Sequence, residues 1–280
     1  MPYANVNGFR MYYDDYGAGP AVVLVHGHTF DRRMWAEQVG PLSRAYRVVC
    51  PDQRGHGRSE SPADGHTLPQ FAADLSALIA ALGLERPALV GHSMGTASVL
   101  GHALAHPDGL RGLVLVSGGV GGDAPLSPRL REYQQKMYDD FLANGKTEAW
   151  IAGRTDNLLR EGTAHRAEKV ELLHSMVRAW SMGSMGYFSP DPPPNLSYDT
   201  SRLGDLLRAP ALAIIGAQDG GMFHKLADRL VELVPGAQKA VVPEAGHMPQ
   251  MDNPDFFNEA LQGFLAETNG SSKFKVQSST

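Results

Sequence analysis

Gly91-His92-Ser93-Met94-Gly95 stands directly after the apolar run Pro87-Ala88-Leu89-Val90 and before a stretch with helical spacing, which places a serine at a strand-to-helix turn. Glycines on both sides of the serine suit a turn too tight for neighbouring side chains, and such a turn projects the hydroxyl outward. The pattern is short, and its position between strand and helix is what gives it weight. A serine hydroxyl is a poor nucleophile at its free pKa. Ser93 therefore requires a base, and that base requires a partner to fix its tautomer.

The last third of the chain offers both. Ala211-Leu212-Ala213-Ile214-Ile215-Gly216 reads as a buried strand, with Asp219 just past its carboxyl end. Met222, Phe223, Leu226, Leu230 and Leu233 follow at helical spacing, and Pro235-Gly236 closes that helix. Ala240-Val241-Val242 then runs into Pro243-Glu244-Ala245-Gly246-His247, a loop ending in histidine. The chain order is Ser93, Asp219, His247. Asp123 is a rival acid, since it follows the preceding strand. Asp219 is preferred because it stands directly after its own strand, whereas the run Gly118-Gly119-Val120-Gly121-Gly122 would hold Asp123 loosely.

Further stretches agree. Ala21 to Gly27 is a strand ending in His26-Gly27, and Pro51-Asp52-Gln53-Arg54-Gly55-His56-Gly57-Arg58-Ser59 follows a strand over Arg47 to Cys50. With Gly246-His247 and a closing helix from Pro254, the pattern resembles the α/β-hydrolase superfamily over about residues 3 to 266. The resemblance is to its single-domain, lid-bearing esterase, lactonase and cofactor-free haloperoxidase-like branch. It implies an α/β fold: a mostly parallel sheet of about eight strands, helices on both faces, and an inserted helical lid. It also implies catalysis by Ser93, Asp219 and His247, with the backbone N–H groups of His28 and Met94 as the oxyanion hole. Thr96 departs from the pattern, standing where many relatives continue with glycine. His28 is an unusual choice behind His-Gly, and its imidazole is placed to narrow the acyl pocket or to bond a substrate. Serine at the nucleophile position sets the chain apart from dehalogenases and epoxide hydrolases, which use aspartate.

The elements that must position these residues alternate along the chain. Residues 2 to 16 read as a hairpin, and Thr67-Leu68-Pro69-Gln70 has capping-box form before Phe71, Leu75, Leu78, Ile79 and Leu82. A helix from Met94 to about His106 and a strand from Leu113 to Val116 come next. Short apolar strands separated by helices imply a parallel sheet covered on both faces, with ligands at its carboxyl edge. Residues 123-205 break this rhythm and are assigned to the lid, with one helix from Ser127-Pro128 and another carrying Leu172, Leu173, Met176, Val177 and Trp180. The core is then 1-122 with 206-267, and the polar, aperiodic tail 268-280 is expected to be disordered. Trp150, Met176, Trp180 and Tyr187 are the substrate-pocket candidates, within a methionine-rich stretch that also holds Met182, Met185 and Phe188.

Composition narrows the partners. A net charge of -5 and no run of Lys or Arg give no footprint for nucleic acid or a membrane surface. No apolar run approaches the length of a membrane span and no leader pattern opens the chain, so a cytoplasmic protein is expected, of unspecified oligomeric state. The single cysteine, Cys50, reads as a buried small hydrophobe. Between residues 123 and 205 there are 12 acidic and 10 basic side chains, a balance that implies no charged group on the substrate. His102 and His106 share a helix face at i, i+4 but lack the third ligand of a metal site, and His26, His56 and His92 read as packing or hydrogen-bonding residues in turns. His224 reads as a solvent-facing helix residue. No metal and no cofactor is expected, and a small molecule is the expected partner. The function that follows is cleavage of a small or medium, largely uncharged carboxylic ester or lactone through an acyl-enzyme. A cofactor-free perhydrolase, a carbon-carbon bond hydrolase and a non-catalytic small-ligand binding protein are the alternatives, separable by turnover with peroxide, with a vinylogous diketone, or by its absence.

Overall fold

The apolar runs of the sequence become strands whose residues are buried on both faces, as a sheet sandwiched between helices requires. The computed structural model describes residues 2-120, 128-159, 166-181 and 198-270. Strands β1 (Tyr3–Val6), β2 (Phe9–Tyr16), β3 (Ala21–Val25), β4 (Arg47–Pro51), β5 (Ala88–His92), β6 (Gly112–Val116), β7 (Ala211–Gly216) and β8 (Gln238–Val242) form one sheet. Its order is β1-β2-β4-β3-β5-β6-β7-β8. The first hairpin and its pairing with β4 are antiparallel, and every other neighbouring pair is parallel.

The helices are α1 (Ala36–Leu42), α2 (Leu68–Ala81), α3 (Met94–Ala105), α4 (Pro128–Asn144), α5 (Glu148–Leu159), α6 (Arg166–Ala179), α7 (Leu203–Leu206), α8 (Gly221–Leu233), α9 (Pro249–Asp252) and α10 (Pro254–Thr268). Side chains alternate across each strand and so feed two cores. Val23, Leu89, Leu113 and Ala213 pack with Leu75 and Leu78 of α2, Val99 of α3 and Leu230 of α8. Val22, Val90, Val114 and Ile214 pack with Leu42 of α1 and Phe257, Leu261 and Phe264 of α10. That second core is continuous with Met137 of α4, Trp150 and Ile151 of α5, and Leu173, Met176, Val177 and Trp180 of α6 and its end.

The expected strands and helices are present, including the Thr67 cap, whose hydroxyl accepts from the Gln70 N–H. Helices α1 and α5 were not foreseen, because neither shows an apolar stripe at helical period: α1 carries Gly40 and an internal Pro41. Asp123, Tyr187, Met182, Met185, Phe188 and most of the tail lie outside the described residues, and α10 runs through Thr268.

Two buried ionic clusters fix the loop between β4 and α2. Asp52 accepts from the Arg32 N–H (2.9 Å), the Arg32 guanidinium (2.8 Å) and the Arg58 N–H (2.9 Å). Arg54 makes a bidentate pair with Asp74 of α2 (2.8 and 3.0 Å), and Asn7 and Gln70 also donate to that carboxylate. Arg54 and Asp74 are both buried, so removing one partner strands a charge away from water. Asp74→Ala is expected to cost about 3–5 kcal/mol in urea unfolding. A loss under about 1 kcal/mol would mean the loop does not depend on this pair.

Candidate active site

Strand β5 ends on His92, and the chain turns at Ser93 into α3 with φ 49° and ψ −115°, a conformation L-residues rarely adopt. The turn is feasible because the flanking glycines leave room. A Cβ on Gly91 would lie 2.4 Å from the Gly95 carbonyl, and one on Gly95 would lie 2.5 Å from the Val25 carbonyl. The Ser93 N–H donates to Val116 O of β6 (2.9 Å), so the neighbouring strand holds the elbow in place. Thr96, the departure noted in sequence, donates its hydroxyl to Ser93 O (2.6 Å), and Gly118 makes the space its side chain occupies.

Three elements deliver their residues to this point. His247 Nε2 lies 3.1 Å from Ser93 Oγ. His247 Nδ1 lies 3.1 and 3.2 Å from the two oxygens of Asp219, and Oδ1 of Asp219 also accepts the Gly220 N–H at 2.8 Å. Burial alone would raise the Asp219 pKa. The charge and hydrogen bond of His247, with the Gly220 N–H, outweigh it and hold the carboxyl below the usual carboxylate range. Ser93 is half-buried, while Asp219 and His247 are buried. This geometry permits the hydroxyl proton to pass to an imidazole already oriented by a carboxylate.

Met94 is the first residue of α3, so its N–H has no intrahelical partner. His28 follows Gly27, where a Cβ would lie 3.2 Å from Ser93 Cβ, which brings the β3 loop against the nucleophile. The His28 ring meets Trp180 edge-on at 4.9 Å. Trp180 itself is fully buried, with Trp150 stacked behind it at 6.0 Å. The Trp150 indole donates to Met137 O (2.8 Å), and Met176 is closed to solvent. Among the described pocket candidates, Trp180 thus touches a residue of the β3 loop. His102 bonds the Ser76 hydroxyl and packs its ring, tilted, 4.6 Å from that of His106, and the described residues contain no group of three metal-ligating side chains. His224 is half-buried on α8.

The sequence pattern did not single out two neighbours of His247. Phe223 of α8 packs its ring 4.3 Å from the imidazole. Asp252 of α9 accepts the Gly246 N–H (2.9 Å). Phe223 was legible only as one member of a helical stripe, and Asp252 only as a first-turn acid before Pro254.

Helix α6 is tied to the core at several points. Lys169 donates to Met251 O, Arg33 to the Ser175 hydroxyl (2.9 Å), and the Ser181 N–H to Gly55 O (2.9 Å). Lys146 caps the carboxyl end of α6 through Val177 O, Arg178 O and Trp180 O.

The fold and this constellation define a class. The chain belongs to the alpha/beta hydrolase fold family, whose sequence model matches residues 20–254. Among individual proteins, it is 28% identical over 260 residues to a Shigella flexneri protein that carries the name of a carbamate hydrolase, RutD, covering 90% of this chain and 93% of that one. Two solved structures are similar throughout. Est816, described as an N-acyl homoserine lactone degrading enzyme, is 28% identical with a TM-score of 0.75, over 94% of this chain and 100% of that one. A thermophilic esterase from Thermogutta terrifontis is 26% identical with a TM-score of 0.77, over 96% and 97%. No helix among the described residues is long and apolar enough to cross a membrane.

Four buried imidazoles surround these elements. Burial pushes His26 and His102 down to about 4 and His92 down to about 3, and holds His56 well below the ordinary value. The unfolded chain takes up protons at these rings near pH 6.5, whereas the folded one refuses them until far lower. Their contribution to stability is therefore complete above about pH 6.5 and is lost as the pH falls toward 4. Asp52 opposes this: burial, then the Asp31 charge, pushes it up to about 6, so its stabilising protonation is lost as pH rises through 6. Unfolding near pH 5 is expected to take up about three protons net, measurable from the pH dependence of the urea midpoint. Uptake below about one would contradict neutral burial of these rings.

Proposed function

We propose that the protein is a serine hydrolase that cleaves a small or medium, largely uncharged carboxylic ester or lactone through an acyl-enzyme. The observation that carries this reading is the continuous line from Ser93 Oγ through the His247 ring to Asp219, with 3.1 Å at each step. Ser93 attacks the carbonyl carbon while His247 takes its proton, and Asp219 orients and stabilises the imidazolium. The Met94 and His28 N–H groups hold the developing oxyanion, His247 returns the proton to the leaving alcohol, and water repeats the sequence to free the acid. No cofactor takes part in this chemistry. The lactone-degrading, esterase and carbamate-hydrolase descriptions of the similar proteins support cleavage at an acyl carbon, and a panel of chromogenic esters, lactones and carbamates assays the three together. Residues 123-205 are proposed as the lid over Ser93.

Ser93→Ala and His247→Ala should each lower kcat by roughly 10^4 to 10^6, and a serine-directed phosphonate should label Ser93 alone. Asp219→Asn should keep the fold and lose about 10^4 in kcat because the amide favours the wrong imidazole tautomer, whereas Asp123→Asn should be nearly silent. Reversed results for the two aspartates would move the acid to the earlier strand.

The lid reading generates its own test. Trimming Trp180, which touches His28, should change selectivity between short and long acyl chains by about tenfold or more in kcat/KM. Trp150→Ala, one layer further back, should mainly lower the thermal midpoint. Identical chain-length profiles for wild type and Trp180→Ala would remove that ring from the substrate wall.

A further inference from the structure

His92 sits between the nucleophile and the loop that carries the base, and the proposed chemistry gives it no part. It ends β5, is 1% exposed, and lies 2.7 Å through Nε2 from the backbone carbonyl of His247. A carbonyl oxygen only accepts, so the ring proton must be on Nε2. Nδ1 is then a bare lone pair, and it is buried without a partner. It faces Gly27, where a Cβ would come within 2.5 Å of Nδ1 and 3.1 Å of Cε1. Glycine at position 27 thus seats the His92 ring, and the same missing side chain admits Ser93 Cβ.

We propose that His92 is a positioning residue that sets the distance between Ser93 and His247. The inference rests on the reading of Ser93 as nucleophile and His247 as base. His92 and Ser93 are consecutive, so one hydrogen bond links the elbow to the backbone of the base with a single peptide unit between them. Other restraints on the His247 loop come from other elements: Asp219 after β7, Phe223 on α8, Asp252 through Gly246 N–H, and the Gln218 N–H, which donates to Ala245 O. None of these is attached to the nucleophile. Without the His92 bond, the 3.1 Å approach of Nε2 to Oγ would be set by the packing of β5 against β6, β7 and β8 and by the other contacts of the His247 loop. An unpaired lone pair in a dry site is costly, and a purely apolar residue would fill the position without that cost. What imidazole adds over such a residue is the donor aimed at His247.

The experiment compares His92→Leu, which removes the donor, with His92→Gln, whose amide nitrogen reaches nearly as far. Active sites are titrated with a phosphonate so that rates refer to folded enzyme. The leucine variant should lose about 10- to 100-fold in kcat with KM within about twofold, as expected for a reacting pair displaced by up to about 1 Å. The glutamine variant should recover most of that loss, and the low-field Nδ1–H resonance of His247 should broaden in leucine and return in glutamine. A role in packing alone would lower the thermal midpoint and leave kcat per titrated site unchanged, which would overturn the proposal. The wild type offers a test that needs no variant. Nitrogen-15 histidine spectra should place the His92 proton on Nε2, and a proton on Nδ1 would overturn the inference even if the leucine variant fails to fold. Ser93→Ala run in parallel separates the two readings: if it turns over, the hydrolase reading falls, and if it is inactive while His92→Leu matches wild type, only the role of His92 falls.

Discussion

Ser93 is held with φ 49° and ψ −115°, and the rest of the site depends on the chain tolerating that conformation. A non-glycine residue in such a region costs about 1–3 kcal/mol, which persists only where surrounding structure over-determines it. Here the surroundings are unusually close: carbonyls of β3 and the first turn of α3 occupy the space that side chains at positions 91 and 95 would need. The strain and the close packing have one cause. A strand that must end beneath a helix, with its last side chain outward, leaves no room for a gentler turn.

The sheet order explains why three distant stretches meet. Strands β5, β6, β7 and β8 are adjacent and parallel, so their carboxyl ends share one edge. Ser93 leaves β5, Asp219 leaves β7 and His247 leaves β8, while β6 supplies the carbonyl that anchors the elbow. The imidazole therefore has to span a strand, and it does so from a loop shaped by Gly246, Asp252 and the short helix α9. The β3 loop approaches from the other side through Gly27.

Much of this was legible in the sequence, and the limits have physical causes. Strands β3, β5, β6 and β7 are continuous apolar runs bounded by turn residues, a signal that survives without any tertiary information. Ser93 and Asp219 stood out because each lies just beyond such a run, and His247 because it ends the loop after the last strand. Phe223, Asp252 and the bond from His92 were not, since each is defined by a partner far away in the chain; His92 and His247 are separated by 155 residues. The buried state of Trp150 and Met176 was equally hidden, because an aromatic or methionine stripe has the same spacing whether it faces a ligand or a core.

The ties that hold α6 bear on how freely that helix can move. Arg33, Lys169, Lys146 and the Ser181 backbone join the helix to four separate segments, and Leu173, Met176 and Val177 bury its inner face. A hinged flap needs a low-stability attachment, because its open form must be appreciably populated. Four ties at about 0.5–1.5 kcal/mol each, added to the apolar burial, would make an α6-open state rarer than about one molecule in a hundred. Helix α6 is thus held fast against its neighbours. The position of its carboxyl end is inherited from the loop at Gly55, so changes in that loop move the ground on which Trp180 stands.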